Sequence, residues 1–372
     1  MGYIKRARAR DHENYRYRSE RMELDLGPRR WGTRLPAYGR FGEVEGTVRV
    51  HSFSHVERIV VRLIGKLHAS HVVNHIPTLS QSQTIINKEI EVWSAKAPSS
   101  STLGEESQFA FSFTLDKEEG GPEARSIPPS ATIQLNRANA RIAYAIRVDM
   151  YRRGLHMHEM IQTEILHIPR TVSHYSRPFI PELGNEKRPS ISEGEWNRSQ
   201  LQRDMGKGSQ VRLNSTDQKE LELLLPRDLS FPSGEDIPFL LSIPETQRST
   251  PHIEVQLVRL STVQTRAGAI QQAKAISQGR IYNLAPELNP KTVLQGAIST
   301  GEAEKDVSWK FGSLLSVSYE IRVLLSFSAF GSSWRLTQPI ELTSHEWRGE
   351  QSARMPSLRS SVTSRTGVNL II

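Results

Sequence analysis

Apolar residues in this chain return at every second position far more often than at every third or fourth. In 142–150 (IAYAIRVDM), Ile142, Tyr144, Ile146, Val148 and Met150 share one phase, and Ala143, Ala145, Arg147 and Asp149 share the other. Alternation of this kind puts one set of side chains in a core and the other toward solvent, as in a half-buried strand. The phase repeats at 317–325 (VSYEIRVLL), where Val317, Tyr319, Ile321, Val323 and Leu325 fall in line with the tyrosines in register. Each segment breaks at a glycine, Gly154 or Gly331, and is followed by a return strand, 163–169 (TEILHIP) or 337–343 (TQPIELT), which predicts two equivalent hairpins.

Earlier segments pair up in the same way. The run 58–65 (RIVVRLIG) matches 252–260 (HIEVQLVRL), and 46–50 (GTVRV) matches 237–244 (IPFLLSIP). The stripe Phe109, Phe111, Phe113 and Leu115 suits a sandwich interior, and 86–93 (INKEIEVW) reads as an outer strand. The pattern predicts an all-β protein of two tandem antiparallel β-sandwich domains, an approximate duplication of one multi-strand unit. The expected organisation is a basic disordered arm (1–20), a first sandwich (21–170), a Ser-, Arg-, Asn-, Gly- and Pro-rich connection (171–215), a second sandwich (216–345) and a disordered tail (346–372). One stretch, 265–280 (TRAGAIQQAKAISQGR), is Ala/Gln-rich and acceptable as a helix on propensity, so its structure stays open.

Composition narrows the function classes. A length of 372 residues fits two domains of ordinary size. The chain has no cysteine, which removes disulfides, thiolate metal sites and cysteine nucleophiles together. No apolar run approaches the ~18–20 residues that span a bilayer as a helix, and the N-terminus lacks the apolar segment of a secretory signal. The expectation is a cytoplasmic protein whose two sequons, at Asn197 and Asn214, go unused. Of the net charge of +8, residues 1–40 carry +6, a bias that favours anionic partners.

The order of these segments resembles the arrestin superfamily, and specifically the fungal arrestin-like (alpha-arrestin) proteins. The residues that carry the likeness are MELDL (22–26), LPAYGRFGEVEGTVRV (35–50), HVERIVVRLIGKL (55–67), FAFSFTL with the later SIPPS (126–130), ARIAYAIRVDMYRRG (140–154) and ELELLLPRDLSFPSGEDIPFLLSIP (220–244). Together they span roughly 20–345. The resemblance implies immunoglobulin-like, arrestin-type sandwiches and a monomeric cytosolic adaptor, peripheral at the plasma membrane or endosomes. Such an adaptor binds cytoplasmic segments of membrane proteins and links them to endocytosis and ubiquitin-dependent trafficking, without catalysis, cofactor or nucleic acid. Alternatives are a structural arrestin-fold subunit of a sorting coat, as in retromer, and a β-sandwich carbohydrate-binding protein or enzyme.

Alpha-arrestins commonly recruit HECT-type ubiquitin ligases through Pro-Pro-x-Tyr, which this chain lacks: Pro128-Pro129 is followed by Ser-Ala-Thr. The nearest approximation to a WW ligand is Leu35, Pro36 and Tyr38, where leucine replaces the first proline and a simple loop is the competing reading. Arg58, Arg62 and Lys66 on one strand, with Arg147, Arg152 and Arg153 on the tyrosine strand and its turn, form the candidate surface for phosphorylated tails or acidic lipid headgroups. Ordinary solvated strand faces carry such residues too. His68, His71 and His75 would share a helix face, but they continue a strand with no carboxylate near; His156 and His158 share a strand face with Glu159 turned away. No metal site is expected. HExxH, G-x-S-x-G and dinucleotide signatures are absent; MGKGSQ (205–210) lacks the context of a P-loop; and ELELLL (220–225), though it matches an acidic dileucine string, starts a core strand.

Overall fold

The computed structural model describes residues 14–30, 33–74, 76–96, 107–115, 127–154, 158–172, 194–204, 221–244, 252–285, 291–327, 332–345 and 368–369. These residues form strands and turns and no helix. The first half holds β1 (Asn14–Arg18), β2 (Met22–Pro28), β3 (Ala37–Tyr38), β4 (Glu43–Val50), β5 (Val56–Val73), β6 (Ile76–Ser94), β7 (Ser107–Thr114), β8 (Ala131–Leu135), β9 (Ala138–Arg152) and β10 (Glu159–His167). The second holds β11 (Trp196–Gln200), β12 (Gln202–Asp204), β13 (Glu222–Pro226), β14 (Ser230–Pro232), β15 (Asp236–Pro244), β16 (His252–Thr265), β17 (Gly268–Gln278), β18 (Arg280–Ala285), β19 (Lys291–Ser299), β20 (Trp309–Phe311), β21 (Leu315–Phe327) and β22 (Ser332–Thr343), with β23 (Val368–Asn369) beyond.

Four sheets result, two to a half, as expected for tandem sandwiches. In the first half β1-β2-β4-β7 faces a sheet centred on β9, which takes β5 on one side and β8 and β10 on the other, with β6 outside β5. In the second half β11-β13-β15-β19-β18 faces a sheet centred on β21, which takes β16 on one side and β20 and β22 on the other, with β17 outside β16. The pairings are antiparallel except for two short parallel ones, and those two sit at matching places: β3 beside β10 and β14 beside β22.

The duplication extends to single atoms. Tyr144 and Tyr319 are both essentially inaccessible, one in each sandwich. Tyr144 lies opposite Gly65 and Ile165; Tyr319 lies opposite Arg259 and Ile340. The Ser130 amide donates to the His167 carbonyl and the Ser130 hydroxyl accepts from the His167 amide (2.8 and 2.9 Å). Ser308 makes the same two bonds to Leu342 at the same distances. The tyrosine hydroxyl then donates to the residue two before that serine: to the Pro128 carbonyl at 2.7 Å, or to the Asp306 carboxylate at 3.2 Å. Repetition of register and partners answers the sequence repeat directly.

The halves differ in what surrounds each ring. A Cβ at position 65 would lie 2.6 Å from both the Tyr144 ring and the Ile86 side chain, so glycine is what admits the ring there. His167 packs edge-on against Tyr144, centroids 5.6 Å apart, and places Nδ1 3.0 Å from the same Pro128 carbonyl. Burial pushes the His167 imidazole down to about 4 against the weaker support of that carbonyl, so it is neutral and Nδ1 donates. In the second half Arg259 stands where Gly65 stands in the first, 3.6 Å from Asp306. Burial pushes the Asp306 carboxyl up, with Arg259 and the Tyr319 hydroxyl pulling the other way.

Three boundaries differ from the sequence reading. Residues 14–18 of the expected disordered arm form β1, because Tyr15 is buried with its hydroxyl bonded to Thr33 while Arg16 and Arg18 pair with Asp25 and Glu23 across the ladder. Residues 196–204 of the expected connection form β11 and β12, anchored by buried Trp196 and Leu201. Residues 368–369 of the expected tail pair with β8. The open stretch 265–280 is a strand: Thr265 and Gly268 close a tight turn, Gly268 at φ 121, and β17 runs back along β16. Its helix propensity loses to the unpaired edge of β16, whose hydrogen bonds need a partner. The halves meet where Gln81 Nε2 donates to the Gln264 carbonyl (2.8 Å) and Gln272 accepts from the Asn136 amide (3.2 Å). A second junction joins Thr171, just past β10, to Ser344, just past β22, through mutual main-chain and hydroxyl bonds of 2.9–3.0 Å.

Gly65→Ala should destabilise the protein by about 1–3 kcal/mol, read as a lower denaturant midpoint at unchanged slope. His167 supplies a pH test. Its folded value lies below the 6.5 of the free side chain, so between 6.5 and about 4 the unfolded chain binds the extra proton. Stability should be full above that window and fall by up to about 3 kcal/mol across it; His167→Gln should flatten this limb in denaturant unfolding followed against pH.

Candidate recognition surface on the first sandwich

The outer face of the β9-centred sheet gathers most of the cationic residues singled out in the sequence. Alternation sends Arg58 and Arg62 from β5 and Arg147 from β9 to this face, and the register sets Arg62 directly opposite Arg147. Like charges face to face on adjacent strands repel. Asp149, one alternation along β9 from Arg147, resolves the conflict. It is fully buried beneath the arginines and accepts from Arg147 Nε (2.8 and 2.9 Å), from Arg62 Nη1 and from His158 Nε2 (2.8 Å). Arg62 also donates to Glu89 on β6 (2.7 Å) and to the Tyr151 hydroxyl (3.1 Å). Arg58 stacks on the other side, its guanidinium carbon 4.3 Å from the Tyr151 ring centroid, and His158 tilts against that ring at 4.7 Å.

The electrostatics follow. Burial alone would push the Asp149 carboxyl up, but the hydrogen bonds from Arg147 and His158 and the charges of Arg147 and Arg62 outweigh it, and the net direction is down. The carboxylate therefore stays ionised, with two guanidinium groups committed to it. Arg58 keeps its donors open to solvent, since stacking uses only its face.

The other sequence candidates fall elsewhere. Arg152 bonds the Ser54 carbonyl (3.2 and 3.3 Å) at the end of β9, and Arg153 is exposed in the turn that follows. Lys66 is exposed on the same strand four residues past Arg62, and unlike Arg58, which meets Arg62 through Tyr151, it shares no contact with the cluster among the described residues. Arg58, Arg62 and Arg147 are thus brought together, and Lys66, Arg152 and Arg153 are not. Asp149, Tyr151, Glu89 and His158 complete the cluster without having been singled out as partners. The signal for the first two was present, since Arg147, Asp149 and Tyr151 share one phase of β9; Glu89 and His158 arrive through register and a turn.

Leu35, Pro36 and Tyr38 lie in the sheet. The Leu166 amide donates to the Pro36 carbonyl (2.8 Å) and the Ile168 amide to the Tyr38 carbonyl (2.9 Å), while Leu35 packs on Ala37, Leu166 and Ile168. Burial raises the Tyr38 phenol. To meet a WW groove this segment would have to leave β10. Leu221, Leu223, Leu224 and Leu225 of the dileucine-like string are buried in and beside β13. His68 and His71 lie on β5; His75, His156, Asn214 and the 205–210 stretch lie outside the described residues. Among the described residues no three His, Asp or Glu side chains converge as a metal site would need.

The cluster is a half-exposed arginine–tyrosine lattice on the outer face of a sheet. No protein-family model matches the chain, and no curated protein matches it.

Asp149→Asn removes the negative charge, and one of the two acceptor oxygens, that two arginines and a histidine share. It should cost on the order of 3 kcal/mol, whereas Arg58→Ala, which loses a single stacking contact, should cost about 1 kcal/mol or less. Urea unfolding of the two variants beside the parent checks the contrast.

Proposed function

We propose that the chain is an arrestin-like cytosolic adaptor that recognises cytoplasmic segments of membrane proteins and couples them to protein traffic. The observation that carries this reading is the duplicated sandwich unit, in which six strands of the tyrosine sheet in the first half (β3, β5, β6, β8, β9 and β10) have counterparts in the second (β14, β16, β17, β20, β21 and β22). It joins the ordered run of arrestin-like segments noted in the sequence. Recognition, not turnover, is the chemistry such a surface offers. Arg58 and Arg153 present free cationic donors to an acidic or phosphorylated segment. The outer edges of β6 and β18, which have one strand neighbour each among the described residues, offer backbone groups for strand addition. Pro-Pro-x-Tyr is absent, so ligase coupling in this reading passes through a partner that carries the motif.

In-cell proximity labelling with the full chain tests the reading. The expected neighbours are membrane proteins with cytoplasmic tails, together with coat or ligase components. A neighbour set without any of these three classes overturns it.

A further inference from the structure

Large apolar side chains are exposed at few places among the described residues, and three of them crowd one spot: Val73 (46%), Ile76 (64%) and Leu79 (48%) at the tip of the β5–β6 hairpin. Along β6 from Ile76 to Ser80 five successive residues are exposed. A strand lying on a sandwich alternates buried and exposed positions, so successive exposure means that β6 is bare on both faces here, while Val72 opposite Pro77 on β5 stays buried and anchors the tip. The chain turns back through Asn74 at φ 50. From 67 to 87 there is no Asp, Glu, Lys or Arg, in a chain that carries 40 acidic and 48 basic residues.

The surroundings are equally one-sided. The hairpin tip is flanked by the β8–β9 turn, where the Arg137 carbonyl accepts from the Val72 amide, and by the β16–β17 turn, reached through the Gln81–Gln264 bond. The β20–β21 turn adjoins the latter through the Gln264 amide and the Leu314 carbonyl. The segments that build these turns, 127–140, 261–278 and 307–319, contain no carboxylate. They contribute Arg137 and Arg266, exposed in the two turns nearest the tip, and Lys310, exposed on β20. An apolar tip flanked by two arginine-bearing turns, in segments 127–140 and 261–278 that contain no carboxylate, is complementary to one partner above others: a bilayer with anionic headgroups, which takes apolar side chains into its interface and basic ones at its surface.

We infer that the β5–β6 hairpin tip is a membrane-contact site, with Val73, Ile76 and Leu79 entering the interface of an anionic bilayer and Arg137, Arg266 and Lys310 lying at the headgroups. The adaptor reading supplies only the setting on which this rests, a chain working beside a membrane. The sheet face bearing Arg58 stays free for a protein segment.

Because the chain has no cysteine, Leu79→Cys carries a single environment-sensitive dye at the tip, and Ser54→Cys carries one at the opposite end of the same hairpin. With vesicles of phosphatidylcholine containing about one-third phosphatidylserine, the dye at position 79 should shift to the blue and become shielded from an aqueous quencher, while the dye at 54 stays as in buffer. Val73→Ser/Ile76→Ser/Leu79→Ser should weaken vesicle co-sedimentation at least about tenfold without lowering the melting temperature. Arg137→Gln/Arg266→Gln should remove most of the dependence on phosphatidylserine. A dye at 79 that remains in water while the chain sediments with vesicles overturns the inference, as does a triple-serine variant that binds as the parent does. If that variant binds normally and Arg58→Glu/Arg153→Glu does not, the membrane is met through the sheet face and the tip assignment fails while the adaptor reading stands. If the parent ignores vesicles and the triple-serine variant loses a protein neighbour in proximity labelling, the tip is a protein dock and the inference is again overturned.

Discussion

Each sandwich depends on bringing a tyrosine ring into its middle without stranding the hydroxyl. A ring of this size removes roughly 200 Å² from water, worth about 5 kcal/mol at most by area. The hydroxyl adds about 1 kcal/mol when paired and costs about 1–3 kcal/mol when buried without a partner. Packing therefore supplies the stabilisation and the hydrogen bond sets the condition on it. That condition reaches far along the chain. An acceptor must arrive from the segment before β8 or β20, and a serine two residues later fixes that segment to the end of β10 or β22. In each half three stretches, the tyrosine strand, the segment before β8 or β20 and the end of β10 or β22, are tied together through that tyrosine and serine.

The two halves meet the condition with different chemistry. The first keeps its pocket neutral, with a glycine under the ring, a proline carbonyl at the hydroxyl and an imidazole held uncharged by burial. The second places Arg259 and Asp306 beside the ring and tolerates buried ionisable groups there. A breakable buried ion pair is a weaker foundation than an apolar pocket of equal volume. The two halves thus differ at the centre and share the frame.

Much of that frame was legible because strand alternation is a local signal. The phase of Ile142 to Met150 and of Val317 to Leu325 identified the core faces, and the strands predicted at 46–50, 58–65, 108–115, 237–244 and 252–260 all form. What escaped depends on partners elsewhere in the chain. The Arg16 and Arg18 positions read as a basic arm until Glu23 and Asp25 are seen across the ladder. Residues 268–278 read as helix-compatible until the open edge of β16 is seen beside them. At the candidate surface, phase alone put Arg58, Arg62 and Arg147 on the outside, which is where they are. Phase could not say that Arg62 and Arg147 stand face to face, so the charge that looked free for a ligand is largely spent on Asp149.

The Thr171–Ser344 junction has a consequence for how such a chain could arise and be rearranged. It binds residues 173 positions apart, so the second sandwich leaves and rejoins the molecule at a single point. A module whose two ends touch behaves as a cassette: it can be gained, lost or exchanged without threading through its neighbour. A duplicated unit needs no more than this to sit in the chain as a second copy.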